Sequence, residues 1–167
     1  MKSKKLILFF GLGIFVLFLD GCSENKMGPV GSTHKHADIK VYVLGNAIDF
    51  SQQKYQVKDE KVHFENRDGD VVHTHATGVT LGYMFQTLRM DIDDTCLILD
   101  TRSKYCSDGN AELKAFVKGT GVDWEQIYSP ADYVFQDLDK ILVAYGTEDE
   151  EGIRKQMESV TDKAEAS

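Results

Sequence analysis

From Ala37 to Val43 the chain alternates without a break. Ala37, Ile39, Val41 and Val43 are apolar, and Asp38, Lys40 and Tyr42 between them are polar or amphipathic. Successive side chains of a β-strand point to opposite faces, so this pattern predicts a half-buried strand. Carried backwards, the register adds His34 and His36 to the polar set. Both imidazoles then project from the face turned away from the core.

The chain has five histidines, all between His34 and His75. Four form two His-x-His pairs, His34-Lys35-His36 and His73-Thr74-His75, and His63 lies between the pairs. Two such pairs on neighbouring strands place four nitrogen ligands in one patch, which is chemistry suited to Zn²⁺, Cu²⁺ or Ni²⁺. His63 is a fifth ligand or a replacement for one of the four. Asp38, Glu65 and Asp70 stand near enough in sequence to add an oxygen ligand or to orient a ring. The opposing interpretation is that these histidines simply occupy exposed strand positions, or titrate together as a pH sensor.

A second hairpin is expected from Lys61 to Ala76, with Asn66-Arg-Asp-Gly-Asp70 as its turn. A two-residue turn at Asp68-Gly69 sets apolar residues of one strand beside histidines of the other. A three-residue loop, Asp68 to Asp70, pairs His63 with His75 and Glu65 with His73, and puts Val62, Phe64, Val72, Thr74 and Ala76 together on the opposite face. The apolar pattern favours the second register, which gathers His63, Glu65, His73 and His75 on one polar face.

Elsewhere the signals are coarser. Gly45-Asn46 predicts a turn, with a returning strand near Ile48 to Phe50. Thr80 predicts a cap for a helix from Leu81 to about Arg89, with Leu81, Met84, Phe85 and Leu88 on one stripe. Met84 thus reads as core rather than as a copper ligand. Strands are expected near Leu113 to Lys118 and Ile141 to Tyr145, and Ser129-Pro130 starts a turn or a one-turn helix. The stretch 148–167 predicts a helix or tail, with acids at its start and a thin apolar stripe of Ile153, Met157, Val160 and Ala164. Whether it docks or frays stays open. The fold class is α+β: a mainly antiparallel or mixed sheet of short strands, one packed helix and a C-terminal helix, in a β-grasp-like arrangement.

The N-terminus has a basic start, Met1-Lys-Ser-Lys-Lys5, and an uncharged apolar run from Leu6 to Leu19. This predicts a secretory signal over residues 1–21. As a helix the run spans about 21 Å, short for a hydrocarbon core of roughly 30 Å. Leu19-Asp-Gly-Cys22 resembles a bacterial lipobox, whose cysteine becomes lipidated. Asp20 departs from the small or apolar residue usual there, so an uncleaved anchor and simple secretion remain open. Residues 22–33 read as a lipid-anchored flexible linker, and 34–147 as the α+β domain. These features place the protein in the cell envelope, tethered to the membrane and facing outside the cytoplasm.

With Cys22 assigned to the anchor, Cys96 and Cys106 are an even pair in an oxidising compartment, where a disulfide is expected. A hairpin turning at Thr101 sets them opposite each other. Their spacing lacks the Cys-x-x-Cys pattern of redox-active pairs. A formal net charge of −8 argues against nucleic-acid partners and against binding to anionic lipid.

Three stretches resemble a family of small, membrane-anchored or secreted prokaryotic proteins. They are His34-x-His-Ala-Asp-x-Lys-Val-Tyr42, Asp68-Gly-Asp-Val-Val-His-Thr-His-Ala-Thr-Gly-Val-Thr-Leu-Gly82 and Asp137-Leu-Asp-Lys-Ile-Leu-Val-Ala-Tyr-Gly146. The resemblance covers most of the chain from His34 to about Asp162. That family has no established activity, so the resemblance implies no mechanism. Some members carry a disulfide-isomerase label, which the cysteine spacing here does not support.

Together these features predict a membrane-tethered extracytoplasmic protein that binds a transition metal for scavenging, buffering or transfer. The alternative is a non-catalytic surface module for a protein or polysaccharide partner, with incidental histidines. A weaker alternative is a small metal-dependent hydrolase. The sequence holds no nucleophile motif, phosphate-cradling loop or cofactor fingerprint, and no catalytic residue is assigned.

Overall fold

The computed structural model describes residues 26–167; the signal-peptide and Cys22 lipidation expectations lie outside the described residues. Ten strands and two helices follow in chain order: β1 (Lys35–Val43), β2 (Asn46–Ala47), β3 (Val62–His63), β4 (Val71–Thr74), α1 (Leu81–Thr87), β5 (Asp91–Ile92), β6 (Cys96–Ile98), β7 (Lys104–Cys106), β8 (Glu112–Lys118), β9 (Glu125–Ile127), β10 (Asp139–Gly146) and α2 (Glu150–Glu158). Among the described residues, no helix is long and apolar enough to cross a membrane.

The main sheet has the order β3-β4-β1-β10-β8-β9, with β2 pairing the end of β1. Strands β1 and β10 run parallel at its centre, and β4 and β8 flank them antiparallel. The first and last long strands lie parallel in the middle of the sheet, with α1 between them in sequence. The fold class is α+β. A small antiparallel sheet, β5-β6-β7, is paired separately and packs on the same core through Ile92 and Leu97.

One face of the main sheet carries the larger core. Ala37, Ile39 and Val41 meet Val62, Val72, Ile141 and Val143 there, and α1 packs on them through Leu81, Met84 and Phe85. Met84 is buried in this core, as its helical spacing predicts. Thr80 caps α1 by accepting from the Tyr83 N–H at 3.1 Å.

The opposite face is not left to water. Leu142 and Ala144 of β10 are fully buried beneath Ile153 and Val160, with Tyr42, Phe116 and Met157 around them. The helix α2 is therefore docked, and Asp149 starts it by accepting from the Gly152 N–H. Tyr42 is tied to Ser159 through a 2.8 Å hydroxyl–hydroxyl hydrogen bond. The cover extends over Asp38 but leaves His34 exposed and His36 part-exposed, while His73 beside them is buried.

Two expected boundaries shift. Leu44 and Gly45 both take positive φ, so the turn after β1 begins one residue earlier, and the return strand is Asn46–Ala47. The stretch from Gly28, read as linker, is hydrogen-bonded to the domain instead. The Gly28 N–H donates to the Thr77 carbonyl at 2.8 Å, and the Gly31 N–H to the His75 carbonyl at 2.6 Å.

Cys96 pairs with Cys106 across β6 and β7 and is disulfide-bonded to it, as the hairpin argument predicts.

Candidate metal centre

The sheet register builds the site. His36 lies directly opposite His73, and His63 directly opposite His73 on its other side. Two residues further along, His75 follows β4 and His34 precedes β1. All five imidazoles thus project from one face, because β1, β3 and β4 keep the same side-chain parity. The rings touch in a closed circuit. Centroids are 4.9 Å apart for His34–His36, 4.6 Å for His36–His73, 5.9 Å for His73–His63, 5.0 Å for His63–His75 and 4.7 Å for His75–His34.

The expected hairpin register is corrected here. His63 pairs with His73, not His75, and Val62 pairs with Thr74. The loop spans residues 64–70 rather than three residues. Phe64 leaves the ladder to stack on Phe50, with centroids 4.8 Å apart. Asn66 and Arg67 both adopt left-handed backbone, and the buried Gln56 side chain binds the Phe50 and Asp68 carbonyls and the Arg67 N–H. Gly69 is required where the loop crosses Phe50 and Ser51, since a Cβ there would lie 2.3 Å from the Ser51 nitrogen. The slip is by two residues, an even number, so the polar face survives intact.

Within the circuit the tightest group is His34, His36 and His73. One ring nitrogen from each lies within 4.8 Å of the others. The Nε2 atoms of His34 and His36 are 3.1 Å apart. Two imidazole nitrogens bound tetrahedrally to one ion are about 3.3 Å apart, given metal–nitrogen bonds near 2.0–2.1 Å. This cluster can hold a metal ion.

Electrostatics keep the rings ready to coordinate. Burial holds the His73 imidazole down at about 4; Glu65 opposes the shift, and His36, His63 and His75 add to it. Burial and His34 also lower His36, against Asp137 and Glu65, while burial, His63 and His34 lower His75. Rings held neutral at pH 7 keep a lone pair available for a cation.

His63 is oriented from behind. Its Nδ1 lies 2.8 Å from the Asp59 carbonyl, which can only accept, so Nδ1 carries the proton and Nε2 the lone pair. Asp59 is itself fixed by the Lys61 N–H and the Tyr83 hydroxyl. Helix α1 thereby reaches the site through Tyr83. Sequence reasoning missed Asp59, because its contribution is a main-chain carbonyl in an irregular loop.

The three candidate carboxylates separate. Glu65 stands at the site, with one oxygen 3.5 Å from His63 Nε2 and the other 3.9 Å from His73 Nε2. Asp38 does not: it is buried under the C-terminal segment, where it accepts from Thr161 and from the backbone N–H groups of Lys163 and Ala164. Asp70 pairs with Lys40 and with Lys163, the latter at 2.8 Å. Both were placed beside the histidines on sequence proximity alone. The C-terminal turn at Lys163–Ala166 captures them both.

A solvent-open groove adjoins the circuit, walled by His63 and His75 and rimmed by Val30 and Val57. Val57 is 66% exposed and holds a positive φ, uncommon for a β-branched residue.

No protein-family model matches this chain, and neither a curated protein nor a solved structure matches it.

Proposed function

We propose that this protein binds a transition metal ion, Zn²⁺, Cu²⁺ or Ni²⁺, outside the cytoplasm while tethered to the membrane, for scavenging, buffering or transfer. The observation that carries this is the convergence of His34, His36 and His73 nitrogens within 4.8 Å from two adjacent strands. His75 supplies a fourth nitrogen, its ring 4.7 Å from that of His34. All-imidazole donors suit these borderline metals, and the disulfide removes the thiols from competition. The tether rests on the lipobox-like Leu19-Asp-Gly-Cys22. The disulfide supports an oxidising compartment.

A buffering or transfer role fits a site open on one side, where an ion can be exchanged. Titrating the full chain in detergent with each metal by calorimetry, at pH 7.5 and pH 5.5, tests the proposal. Tight binding that weakens at the lower pH supports it. No binding tighter than millimolar at pH 7.5 contradicts it and leaves the surface-module alternative. The groove beside His63 and His75 favours a second reading, a metal-dependent hydrolase. Turnover of activated esters by the zinc-loaded chain, and none by the metal-free chain, would establish it.

A further inference from the structure

The circuit holds more donors than one ion can use. A tetrahedral ion takes four ligands, whereas five imidazoles and the Glu65 carboxylate share this patch. The surplus is not randomly placed. His34, His36 and His73 form one arc, and His63 and His75 form the other, with Glu65 reaching His63 at 3.5 Å and His73 at 3.9 Å.

The second arc contains an unresolved chemical contact. His63 donates from Nδ1 to the Asp59 carbonyl, so its Nε2 presents a lone pair. Facing that lone pair at 3.5 Å is a carboxylate oxygen of Glu65, also an acceptor. A bridging water or a metal ion between them would satisfy both acceptors. The separation is close to the edge of a tetrahedral coordination shell and long for a direct hydrogen bond. His75 is the adjacent ring, 5.0 Å away, and both histidines wall the open groove.

We infer that His63, Glu65 and His75 form a second transition-metal position beside the first, loaded and unloaded through the groove. This rests on the metal-binding proposal above. With one ion bound, His75 completes the first position. With two bound, His75 turns to the second, and water fills the fourth place of the first. The protein then carries a retained ion and an exchangeable one, the latter reachable by an accepting molecule.

The test uses the full chain in detergent and Zn²⁺ alone, with bound metal counted after equilibrium dialysis and affinities read by calorimetry. The expected result is two ions per chain, the second at least tenfold weaker. Glu65→Gln and His63→Ala should each reduce the count to one, with the tighter ion retained. His36→Ala combined with His73→Ala should lose the tight ion and keep the weaker one. A single ion in the parent chain, or two ions retained in Glu65→Gln, would overturn the second position while leaving the first in place. No zinc bound at all would overturn both.

Discussion

His36 and His73 sit opposite each other on neighbouring antiparallel strands, with ring centroids 4.6 Å apart. That pairing joins two histidine pairs separated by more than thirty residues of sequence. It depends on β1 and β4 being adjacent, and on Ala37, Ile39, Val41 and Val72 turning to the core face.

His73 is expected to make stability pH-dependent. Its folded value, about 4, lies below the ordinary value of 6.5 for an unfolded histidine. Between those values the unfolded chain binds the extra proton, so stability falls as pH drops from about 6.5 towards 4. A shift of this size corresponds to roughly 2–3 kcal/mol. Urea unfolding of the metal-free chain at pH 7.5 and pH 4.5 should show the loss, and His73→Gln should reduce it. An equal pH dependence in that variant would contradict the assignment.

Asp38 is expected to hold the C-terminal segment, not a metal. Its carboxylate accepts from two backbone N–H groups, Lys163 at 3.0 Å and Ala164 at 3.1 Å. Asp38→Ala leaves them without that acceptor in a covered site, at a cost of about 2–4 kcal/mol. Asp38→Asn keeps one acceptor oxygen and should cost less. Thermal unfolding should rank the variants in that order, with zinc affinity in the folded state unchanged. A loss of zinc affinity in Asp38→Asn would return Asp38 to the site.

Most of the site was legible in sequence because strand alternation has a period of two. It predicts which residues share a face even when the register is wrong, and here the slip from His63–His75 to His63–His73 pairing moves no histidine off its face. The seven-residue loop was not legible, because the buried Gln56 that organises it comes from an irregular segment with no periodic signal. Asp38 and Asp70 were misplaced for a different reason. A polar residue on an alternating strand looks solvent-facing until the element covering that face is known, and the covering turn lies more than ninety residues later. The apolar stripe Ile153–Met157–Val160 marked α2 as amphipathic, yet only the Leu142 and Ala144 surface shows where it docks. The two-residue strands β2, β3 and β5 were too short to leave a pattern.

The Cys96–Cys106 disulfide is expected to act on stability alone. It closes a ten-residue separation in β6–β7, outside the sheet that carries the histidines. Its removal should cost about 2–3 kcal/mol by the loop-entropy argument. A Cys96→Ala, Cys106→Ala chain should therefore unfold at lower urea while binding zinc with parent affinity. A changed zinc affinity would show that the hairpin is coupled to the site.

His34, His36 and His73 are proposed to share one ion. Zinc titration of the His36→Ala, His73→Ala chain against the parent, both in detergent at pH 7.5 with fold checked by circular dichroism, tests it most directly. The tight ion should be lost, at least a hundredfold in affinity, from a chain that remains folded. Tight binding retained in the folded double variant would contradict it.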